Sequence, residues 1–534
     1  MIRIIQMRGP LFGLQSSSYS QILKEEAKKT PGLTWDPSSR SWIGYSDGIA
    51  LAAKRARARG LIIQGGIPAP APSGLLAASA GLRDYQKVGV EFLLTKMSEG
   101  CILADEVSLG KSAQAATAAR ALRQKCLIVC PSFGRGVWLD LKDGELVKWW
   151  PAAKVVALSG TKPGPIDPDA DVVVCHYDIL YAHVEALIAW GAKTLIVDEI
   201  HYCMGGKSRR TQAVAKLASV CTHRAGLSGT PITSKPLDLW APVNTISEGR
   251  FGKLFNYAMA FCNAHQEQVT PTKTVWKFDG ASNLNELNER LNFSPTTPWG
   301  FMLRRLKSEV AIELPARTRQ VLTLDVTRGH IMAPLAAMKS DKILRKALDM
   351  AADGKFPQVI DIAIGHLEQG LKVVVGTHRR AIADLIAEGV RQRGPWKVEV
   401  VTGEVPLAKR QAIIKSQPDL LCATLDSTAA AINLSYASVG IVAELVWVPS
   451  TLVQWEGRFG REPGKNVLIV YPIARATIEE VIRAQLINKI DRFTAAVGKV
   501  DNKLREDFKG LEGPAGAAAR MVALYERMMK ANDD

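Results

Sequence analysis

Two series of short apolar runs, each alternating with helical stretches, constrain the fold of this chain more than any other feature. The first series is CLIVC, KVVAL, DVVVCHY and TLIVDE, and the second is LKVVVGT, KVEVVTG, LLCATL, GIVAELVW and NVLIVYP. Continuous β-branched runs bounded by turns or helices indicate strands buried on both faces of a parallel sheet. We therefore predict an α/β fold with two parallel-sheet domains that can enclose a cleft.

Length and charge narrow the class of protein. The chain has 534 residues, enough for several domains of about 150 residues each. Its 68 Lys and Arg against 52 Asp and Glu give a net charge of +16, so a polyanion is the first partner to test. The eight cysteines include no C-x-x-C pair, which argues against a zinc or disulfide framework. No signal peptide or membrane span is expected from the apolar segments.

A proline-alanine stretch, GGIPAPAPSG, marks the first domain boundary. Alternating proline favours an extended linker, predicted here at 67–80, which cannot join a helix or an inner strand. Before it, a small α+β module at 1–66 is predicted to hold two helices and two strands around a D-P-S-S turn. After it we expect two parallel-sheet lobes and a helical tail, with these bounds: 81–325, including a helical insertion at about 246–325; 326–485; and 486–534.

The segment ADEVSLGKS (104–112) ends like a phosphate-binding loop, although Asp105 occupies the place of the first glycine in G-x-x-x-x-G-K-[ST]. It follows the apolar CILA and precedes an alanine-rich helical stretch, which is the context that a phosphate site requires. Backbone N–H groups would meet the phosphates, Lys111 would reach the β/γ oxygens and Ser112 would hold Mg²⁺. On its own the loop is equally consistent with a chance Gly-Lys-Ser.

The second half of a nucleotide site follows another buried strand, in TLIVDEIH. There Asp198 can hold the metal through its water shell, and Glu199 can orient and deprotonate the attacking water. A lone Asp-Glu pair is usually a solvated strand end. The two halves in the right order favour an ATP site over that interpretation.

Two further segments fit the same site. LSGTP follows a strand-like segment, and QWEGRFGR places Arg458 and Arg461 in the second lobe. Arginines three apart on one helical face can reach across a cleft toward a γ-phosphate. Surface salt bridges are the alternative for this pair.

Taken together, these segments resemble superfamily 2 helicases of the Swi/Snf branch. The resemblance is carried by LRDYQKVGVEFLL, ADEVSLGKS, CLIVCPS, DEIH, LSGTP, FMLRRLKSEVAIELPARTR, INLS and QWEGRFGR, over about 81–480. It implies two RecA-like lobes and DNA-stimulated ATP hydrolysis, with translocation along duplex DNA rather than ordinary strand unwinding. In this branch the loop usually reads D-E-x-G-L-G-K-T, so Asp105 is its norm.

The resemblance also implies roles for individual residues. Gln86 matches the glutamine that recognises adenine, Asp198 and Glu199 match the metal and water-activating carboxylates, and Arg458 and Arg461 match the arginine fingers. His201 is expected to link the site to motif III, which comprises Ser228, Gly229 and Thr230. The resemblance also implies ATP binding by Arg83, Asp105, Leu109, Gly110, Lys111 and Ser112. It implies coupling by Ser228, Gly229 and Thr230, and DNA contact by Pro131, Ser132 and Asn433.

Three departures from the branch stand out. Ser108 occupies the usual glycine position of the phosphate loop and is expected to stiffen it. Alanines at 429–431 replace the usual glycines beside INLS, and Glu-Pro-Gly replaces Ile-Gly-Gln after Arg461. The charged groups of the chemistry are present, so activity is expected to survive.

The front module offers a second, shorter resemblance. Its W-D-P-x-x-R-x-W pattern is similar to the HepA-related (HARP) module of annealing helicases, which implies a reader of DNA junctions. Trp35 and Trp42 would stack on exposed bases, although packing into a small β-core is the simpler role for at least one. Four basic residues would contact phosphates, or else form a solvated helix face, namely Lys54, Arg55, Arg57 and Arg59.

These features predict an ATP- and Mg²⁺-dependent motor on duplex, forked or branched DNA, whose output is strand annealing, fork reversal or branch migration. We expect a monomer that works with replication or recombination proteins, in the cytoplasm of a bacterium or phage-infected cell, or in the nucleus if eukaryotic. Two alternatives stay open. One is a motor serving a restriction or transcription-recycling complex, and the other is a DNA-binding scaffold with a decayed ATPase.

Overall fold

The fold is described from a computed structural model, and it forms two compact units. Unit 1 comprises Met1–Val310 with Arg492–Val500, and unit 2 comprises Ala311–Asp491 with Asp501–Asp534. The residues that the structure describes are 2–67, 81–231, 235–270, 272–310, 317–326, 341–425, 427, 433–459, 466–475, 477–497, 506 and 508. Most of the predicted linker and most of the predicted tail therefore lie outside them.

The front module is a five-stranded sheet with two helices. Its strands are β1 (Ile2–Gln6), β2 (Leu11–Ser16), β3 (Thr34–Asp36), β4 (Ser41–Tyr45) and β5 (Ile63–Gln64), and its helices are α1 (Gln21–Lys29) and α2 (Ser46–Ala58). The sheet order is β3-β4-β2-β1-β5. The predicted pair β3–β4 is antiparallel around the D-P-S-S turn, where the Asp36 carboxylate accepts hydrogen bonds from the backbone N–H groups of Ser38 and Ser39.

The rest of unit 1 alternates strands and helices, as predicted. The strands are β6 (Cys101–Leu103), β7 (Cys126–Cys130), β8 (Val155–Ala157), β9 (Val172–His176), β10 (Thr194–Asp198) and β11 (His223–Leu227). The helices are α3 (Asp84–Lys96), α4 (Lys111–Leu122), α5 (Arg135–Leu139), α6 (Glu145–Trp149), α7 (Tyr177–Trp190), α8 (Arg209–Val220) and α9 (Trp240–Ile246).

The insertion predicted to be helical contains β-structure as well. It holds α10 (Leu254–Phe261), the strands β12 (His265–Thr270) and β13 (Lys273–Lys277), then α11 (Leu284–Leu291), β14 (Met302–Leu303) and α12 (Lys307–Val310). β12 and β13 form an antiparallel hairpin. This is a correction to the sequence prediction, and its cause is that polar, exposed strands carry little hydrophobic pattern.

β14 completes a seven-stranded parallel sheet in the order β14-β6-β11-β10-β7-β9-β8. Alternate residues of each strand face opposite sides, so Ile102 and Cys101 belong to different hydrophobic clusters. β6, β11 and β10 are neighbours, and they run in the same direction. The segments that follow them, 104–112, 228–230 and 198–201, therefore meet at one edge of the sheet, where α/β proteins place their ligands.

The front module is built into unit 1 through a buried charge cluster. The Asp47 carboxylate, at the start of α2, accepts hydrogen bonds from Arg250 Nη1 at 2.9 Å and Arg290 Nε at 2.7 Å. All three side chains are fully buried. Arg250 also donates to the carbonyl oxygens of Glu99 and Gly100, directly before β6. The prediction of a separate module is therefore corrected, because a buried charge needs its partners.

Unit 2 has a six-stranded parallel sheet in the order β15-β20-β19-β16-β18-β17. The strands are β15 (Arg317–Leu324), β16 (Val373–Thr377), β17 (Val398–Val401), β18 (Leu420–Thr424), β19 (Val439–Val442) and β20 (Val467–Ala474). The helices are α13 (Asp341–Glu368), α14 (Arg380–Arg391), α15 (Leu407–Lys415), α16 (Pro449–Glu456) and α17 (Ile478–Val497), whose last residues, from Arg492, belong to unit 1. The predicted boundary at 325 is wrong, because β15 pairs with β20 along its whole length. Nowhere in the described chain is a helix both long and apolar enough to cross a bilayer.

Candidate active site

The phosphate loop connects β6 to α4 through a left-handed turn. Gly110 has φ +74°, a conformation that favours glycine, and an added Cβ there would lie 2.4 Å from Gln86 Nε2. α4 begins directly after it, at Lys111, and no side chain caps its first turn. The N–H groups of that turn are consequently available to an anion, as in other phosphate sites. Ser112, the predicted Mg²⁺ residue, is half-buried in the same turn.

Lys111 is held by the loop itself. Its ammonium donates to the carbonyl oxygen of Asp105 at 2.8 Å and to that of Glu106 at 3.3 Å. Burial lowers the pKa of Lys111, and the nearby carboxylates of Glu199, Asp105 and Asp198 oppose that shift. The ammonium is therefore placed among carboxylates and carbonyl groups, ready to exchange them for phosphate oxygens.

Ser108 adopts the left-handed backbone that a glycine would favour, with φ +67°. This position is the one where the loop departs from the Swi/Snf pattern. A non-glycine residue in this conformation costs of order 1–2 kcal/mol. The departure is thus a local strain, and it leaves the course of the loop into Gly110 and α4 intact.

Asp105 does not point its carboxylate at the phosphate position. Arg305, just after β14, grips it with two hydrogen bonds, Nε to Oδ1 at 2.9 Å and Nη2 to Oδ2 at 2.5 Å. Gln114 of α4 donates to the same carboxylate at 3.3 Å. Asp105 is fully buried, so its described role is to tie the loop to the sheet edge.

Arg304 connects the phosphate loop to motif III. Its Nη1 donates to the carbonyl oxygens of Ala104 at 2.7 Å and Gly229 at 3.1 Å. Both arginines come from the FMLRRLKSEV segment. This segment carries part of the resemblance to the Swi/Snf branch, but no role was predicted for either arginine. A buried carboxylate in the loop required a cation, and that was the signal for Arg305.

The two carboxylates lie where the sequence predicted, at the end of β10. Asp198 accepts a hydrogen bond from Trp138 Nε1 at 2.9 Å and another from the N–H of Glu199 at 3.0 Å. Burial and the neighbouring Glu199 charge raise the pKa of Asp198 to about 6. Glu199 is itself in the left-handed region, with φ +49°. Trp138 was missed because no sequence pattern links α5 to β10.

The predicted coupling residues are brought together. His201 Nδ1 lies 3.1 Å from Ser228 Oγ and 3.2 Å from Glu199 Oε2. Ser228 Oγ in turn accepts a hydrogen bond from the N–H of Thr230 at 3.1 Å. A Cβ added to Gly229 would lie 3.6 Å from Lys111 Nζ. A continuous path therefore joins the carboxylates, motif III and the phosphate loop.

The residues predicted to contact the base lie beside the loop. Gln86 accepts a hydrogen bond from the N–H of Arg83 at 2.9 Å, in the first turn of α3, and donates to the carbonyl oxygen of Leu109 at 3.3 Å. Arg83 is exposed and Leu109 is buried. Their assignment to adenine recognition stays a prediction.

In unit 2 the arginine segment departs from the predicted helix. α16 ends at Glu456, and Arg458 lies in the turn that follows, so the predicted placement of Arg458 on a helix is corrected. Its carbonyl oxygen accepts a hydrogen bond from the N–H of Leu434 at 3.0 Å, which draws the chain out of the helix. Arg461 and 429–431 lie outside the described residues. Asn433 is exposed.

Glu456 anchors this segment from within the lobe. It is fully buried and accepts hydrogen bonds from Arg319 Nε at 2.8 Å and Nη2 at 2.6 Å, and from the Tyr471 hydroxyl at 2.5 Å. The network joins β15, α16 and β20. The network was not predictable from local patterns, because its members are far apart in the chain.

The tryptophans predicted to bind DNA in the front module face each other across β3 and β4. The rings of Trp35 and Trp42 are 5.5 Å apart. Trp42 packs against the core of the module, whereas Trp35 is 45% exposed. Trp35 therefore keeps the exposure that stacking on a base would need, and DNA contact stays a prediction for both tryptophans. Pro131 and Ser132 follow β7, the former buried and the latter exposed.

The basic residues of α2 have protein partners. Lys54 pairs with Glu289, Arg55 with Glu286, and Arg59 with both Glu25 and Glu26. Arg57 donates to the carbonyl oxygens of Ile63 and Gly65. Contact with phosphates stays a prediction for these four, and it would require them to exchange these partners.

The site combines a parallel sheet, a lysine-bearing loop that leads into a helix, and two carboxylates at the end of the next strand but one in the sheet. This combination defines the class of nucleotide-binding proteins that have a phosphate loop. Within that class the relation is more particular. Residues 85–369 match the model of the SNF2-related domain, which is more than half of the chain. The chain belongs to the SNF2-related family.

Named relatives are similar over most of this chain. The mouse protein "DNA annealing helicase and endonuclease ZRANB3" is 29% identical over 441 residues, covering 76% of this chain and 40% of that protein. The "SWI/SNF-related matrix-associated actin-dependent regulator of chromatin subfamily A-like protein 1 homolog" of Caenorhabditis elegans is 28% identical over 510 residues, covering 87% of this chain and 71% of that protein. The chain thus spans less than half of the mouse relative.

Among solved structures, the "Sulfolobus solfataricus SWI2/SNF2 ATPase core in complex with dsDNA" matches with 18% identity and a TM-score of 0.39. The match covers 84% of this chain and 99% of that one. At this TM-score the likeness adds nothing to the description of the fold given above.

Proposed function

We propose that this chain is an ATP- and Mg²⁺-dependent motor that translocates along duplex DNA and acts at forked or branched junctions. One observation carries the proposal. Lys111, the Asp198–Glu199 pair and the His201–Ser228 contact converge at the carboxyl ends of three adjacent strands. Such an arrangement suits phosphoryl transfer to water, because little covalent chemistry is asked of the protein beyond positioning and charge.

Each residue has a defined task in ATP hydrolysis. Lys111 and the first N–H groups of α4 bind the phosphates, and Glu199 orients the attacking water and takes its proton. His201 contacts the Glu199 carboxylate and, through Ser228, couples its protonation to motif III. Ser112 and Asp198 would hold Mg²⁺, which neutralises developing phosphate charge. The donor set fits a cation, because two carboxylates are adjacent at the end of β10, where burial and the Glu199 charge raise the pKa of Asp198 to about 6.

That the motor moves along DNA is proposed on two grounds, the net charge of the chain and its similarity to named relatives. The net charge of +16 favours a polyanion. The mouse relative is named a DNA annealing helicase, and the front module carries the junction-reader pattern with an exposed Trp35. Strand annealing, fork reversal and branch migration are the outputs that such a motor can produce.

The test is ATP turnover by the full chain without DNA and with single-stranded, duplex and forked DNA. We expect duplex and forked DNA to raise the rate. Lys111→Ala and Glu199→Gln should each lower the stimulated rate by about 100-fold or more, while DNA binding persists. Lys216→Ala is the matched control, because Lys216 is an exposed lysine of the same unit paired with Glu185.

Two results would argue against the proposal. Equal ATP turnover with and without DNA would show that ATP hydrolysis is not coupled to DNA. No turnover under any condition, with DNA binding intact, would favour a scaffold whose ATPase has decayed.

A further inference from the structure

An exposed apolar surface lies on α10 and the β12–β13 hairpin, which carry none of the residues of the candidate active site. Phe255 is 44% exposed, Met259 49% and Trp276 42%. We call these three residues the aromatic step. Large side chains grouped in this way on a surface mark a site of interaction more often than singly exposed ones do.

The rings of the step are held in place from beneath. Phe255 and Trp276 are 5.1 Å apart with an interplanar angle of 90°, and Phe278 contacts Phe255 at 6.3 Å. Phe278 is half-buried and packs against the main hydrophobic cluster of unit 1. Edge-to-face packing of this kind fixes the orientation of the rings, and the side chains of Phe255 and Trp276 both stay more than 40% exposed.

A polar cavity of about 660 Å³ adjoins the step and shares Met259 with it. Its other walls include Asn256 and Asn283, from the α10 side, and Lys28 and Lys29, at the end of α1. Both lysines are exposed, and Lys29 lies 3.6 Å from the carboxylate of Glu26, which also lines the cavity. Arg55 and Arg59 also line the cavity, although their carboxylate partners hold them.

Further lysines are close in the chain to residues of the step. Lys253 and Lys273 are exposed, and Lys277 is paired with Glu267 at 3.3 Å. The surface therefore combines aromatic rings, lysines close to them in the chain, and a cavity lined by lysines and asparagine amides. Rings that stack on bases, flanked by cations that follow a backbone, are the pattern of single-stranded nucleic-acid binding.

We propose that this surface binds a single DNA strand, with unpaired bases on Phe255 and Trp276 and phosphates at Lys28 and Lys29. The inference rests on the proposed function, to which it adds a place for the strand that is separated at a junction. A duplex does not fit the pattern, because its bases are stacked on each other. The flanking lysines favour a polyanion over an apolar protein partner or a second copy of the chain.

The experiment measures binding of a fluorescent oligo-dT of about 15 nucleotides to the full chain, by anisotropy over a series of salt concentrations. Phe255→Ala and Trp276→Ala should each weaken binding by about 5- to 100-fold, since stacking on one ring has that effect. Trp276→Phe and Phe255→Tyr should retain affinity, whereas Phe255→Leu should not, because leucine keeps apolar area but has no ring face. Replacing Lys28 and Lys29 by alanine should lower the salt slope by about 1.4.

Tyr19→Ala is the control, because Tyr19 is a 74% exposed aromatic of unit 1 outside the step. Duplex-stimulated ATP turnover should be unchanged in all these variants, so loss of the motor and loss of the strand site are distinguishable. Equal oligo-dT affinity in wild type, Phe255→Ala and Trp276→Ala overturns the proposal. Two other results also overturn it. One is a dimer in sedimentation that Trp276→Ala dissociates, which assigns the step to a second copy of the chain. The other is oligo-dT binding that Phe255→Leu preserves.

Discussion

At the scale of the residue, the phosphate loop shows what a departure from a family pattern costs. Ser108 stands where the Swi/Snf branch has glycine, and it takes up the left-handed backbone that a glycine would adopt freely. The backbone at Ser108 therefore keeps the left-handed conformation that the loop needs, and this conformation is strained because the residue has a side chain. The stiffening of the loop that was expected at this position stays a prediction, and the positive φ shows strain there.

Ser108→Gly should accordingly stabilise unit 1 by about 0.5–1 kcal/mol, because relief of strain outweighs the added freedom of the unfolded chain. Urea denaturation measures this difference. Ser108→Ala is the control, since alanine retains the strain and should bring no gain. A Ser108→Gly variant less stable than wild type would contradict the account.

Asp198 gives a prediction about pH in the nucleotide-free protein. Its folded pKa of about 6 exceeds the ordinary value of an aspartate. The folded state therefore binds more protons than the unfolded state between about pH 4 and pH 6, and the contribution of Asp198 to stability is lost as pH rises through that window. Asp198→Asn should be more stable than wild type at pH 7.5, by roughly 1–2 kcal/mol.

At pH 4.5 that advantage should largely disappear, because wild-type Asp198 is then protonated. Chemical denaturation of both proteins at the two pH values measures the difference. The same gap at both values would show that the carboxylate does not titrate near pH 6.

At the scale of the element, strands were predictable wherever they are buried on both faces. CLIVC, DVVVCHY and TLIVDE became β7, β9 and β10, since continuous β-branched runs have few other uses. The hairpin β12–β13 and the short β14 were not predictable, because one is polar and exposed and the other has two residues. β15 was assigned to the wrong lobe, since its partner β20 lies 150 residues away along the chain.

The Asp105–Arg305 contact is the element-scale feature that holds the loop to β14. Arg305→Ala should destabilise unit 1 by about 3–5 kcal/mol, because it leaves a buried carboxylate without its cation. Arg305→Lys should recover only part of this, since an ammonium cannot make the two-pronged contact. Urea denaturation of the variants gives both values.

The double variant Asp105→Leu with Arg305→Met serves as the comparison. It removes both charges and should be more stable than Arg305→Ala alone. A loss below about 1 kcal/mol for Arg305→Ala would mean that the pair is solvated, in contradiction to its burial.

At the scale of the whole molecule, the front module and the first lobe behave as one body. The sequence predicted a separable module from the proline-alanine linker, which was reasonable because linkers often separate domains. The long-range contact between Asp47 and two arginines more than 200 residues away could not be read from any local pattern. Deleting the module would expose that cluster, so deletion is a poor test of junction recognition.

Asp47→Ala should therefore destabilise the lobe as well as the module, by about 3–5 kcal/mol, because two buried guanidinium groups lose their counter-charge. Hydrogen exchange of α2 and of β6 should then increase together. Glu25→Ala is the control, since it removes only an exposed partner of Arg59. Module and lobe unfolding at separate denaturant concentrations in the wild type would contradict the single body.

The central claim is that ATP hydrolysis at Lys111 drives movement along duplex DNA. Displacement of a third strand from a DNA triplex tests this most directly, because the strand is removed only by a motor that travels along the duplex. We predict displacement that requires ATP, is abolished in Lys111→Ala and is unchanged in Lys216→Ala. DNA-stimulated ATP turnover without any displacement of the third strand would contradict the claim.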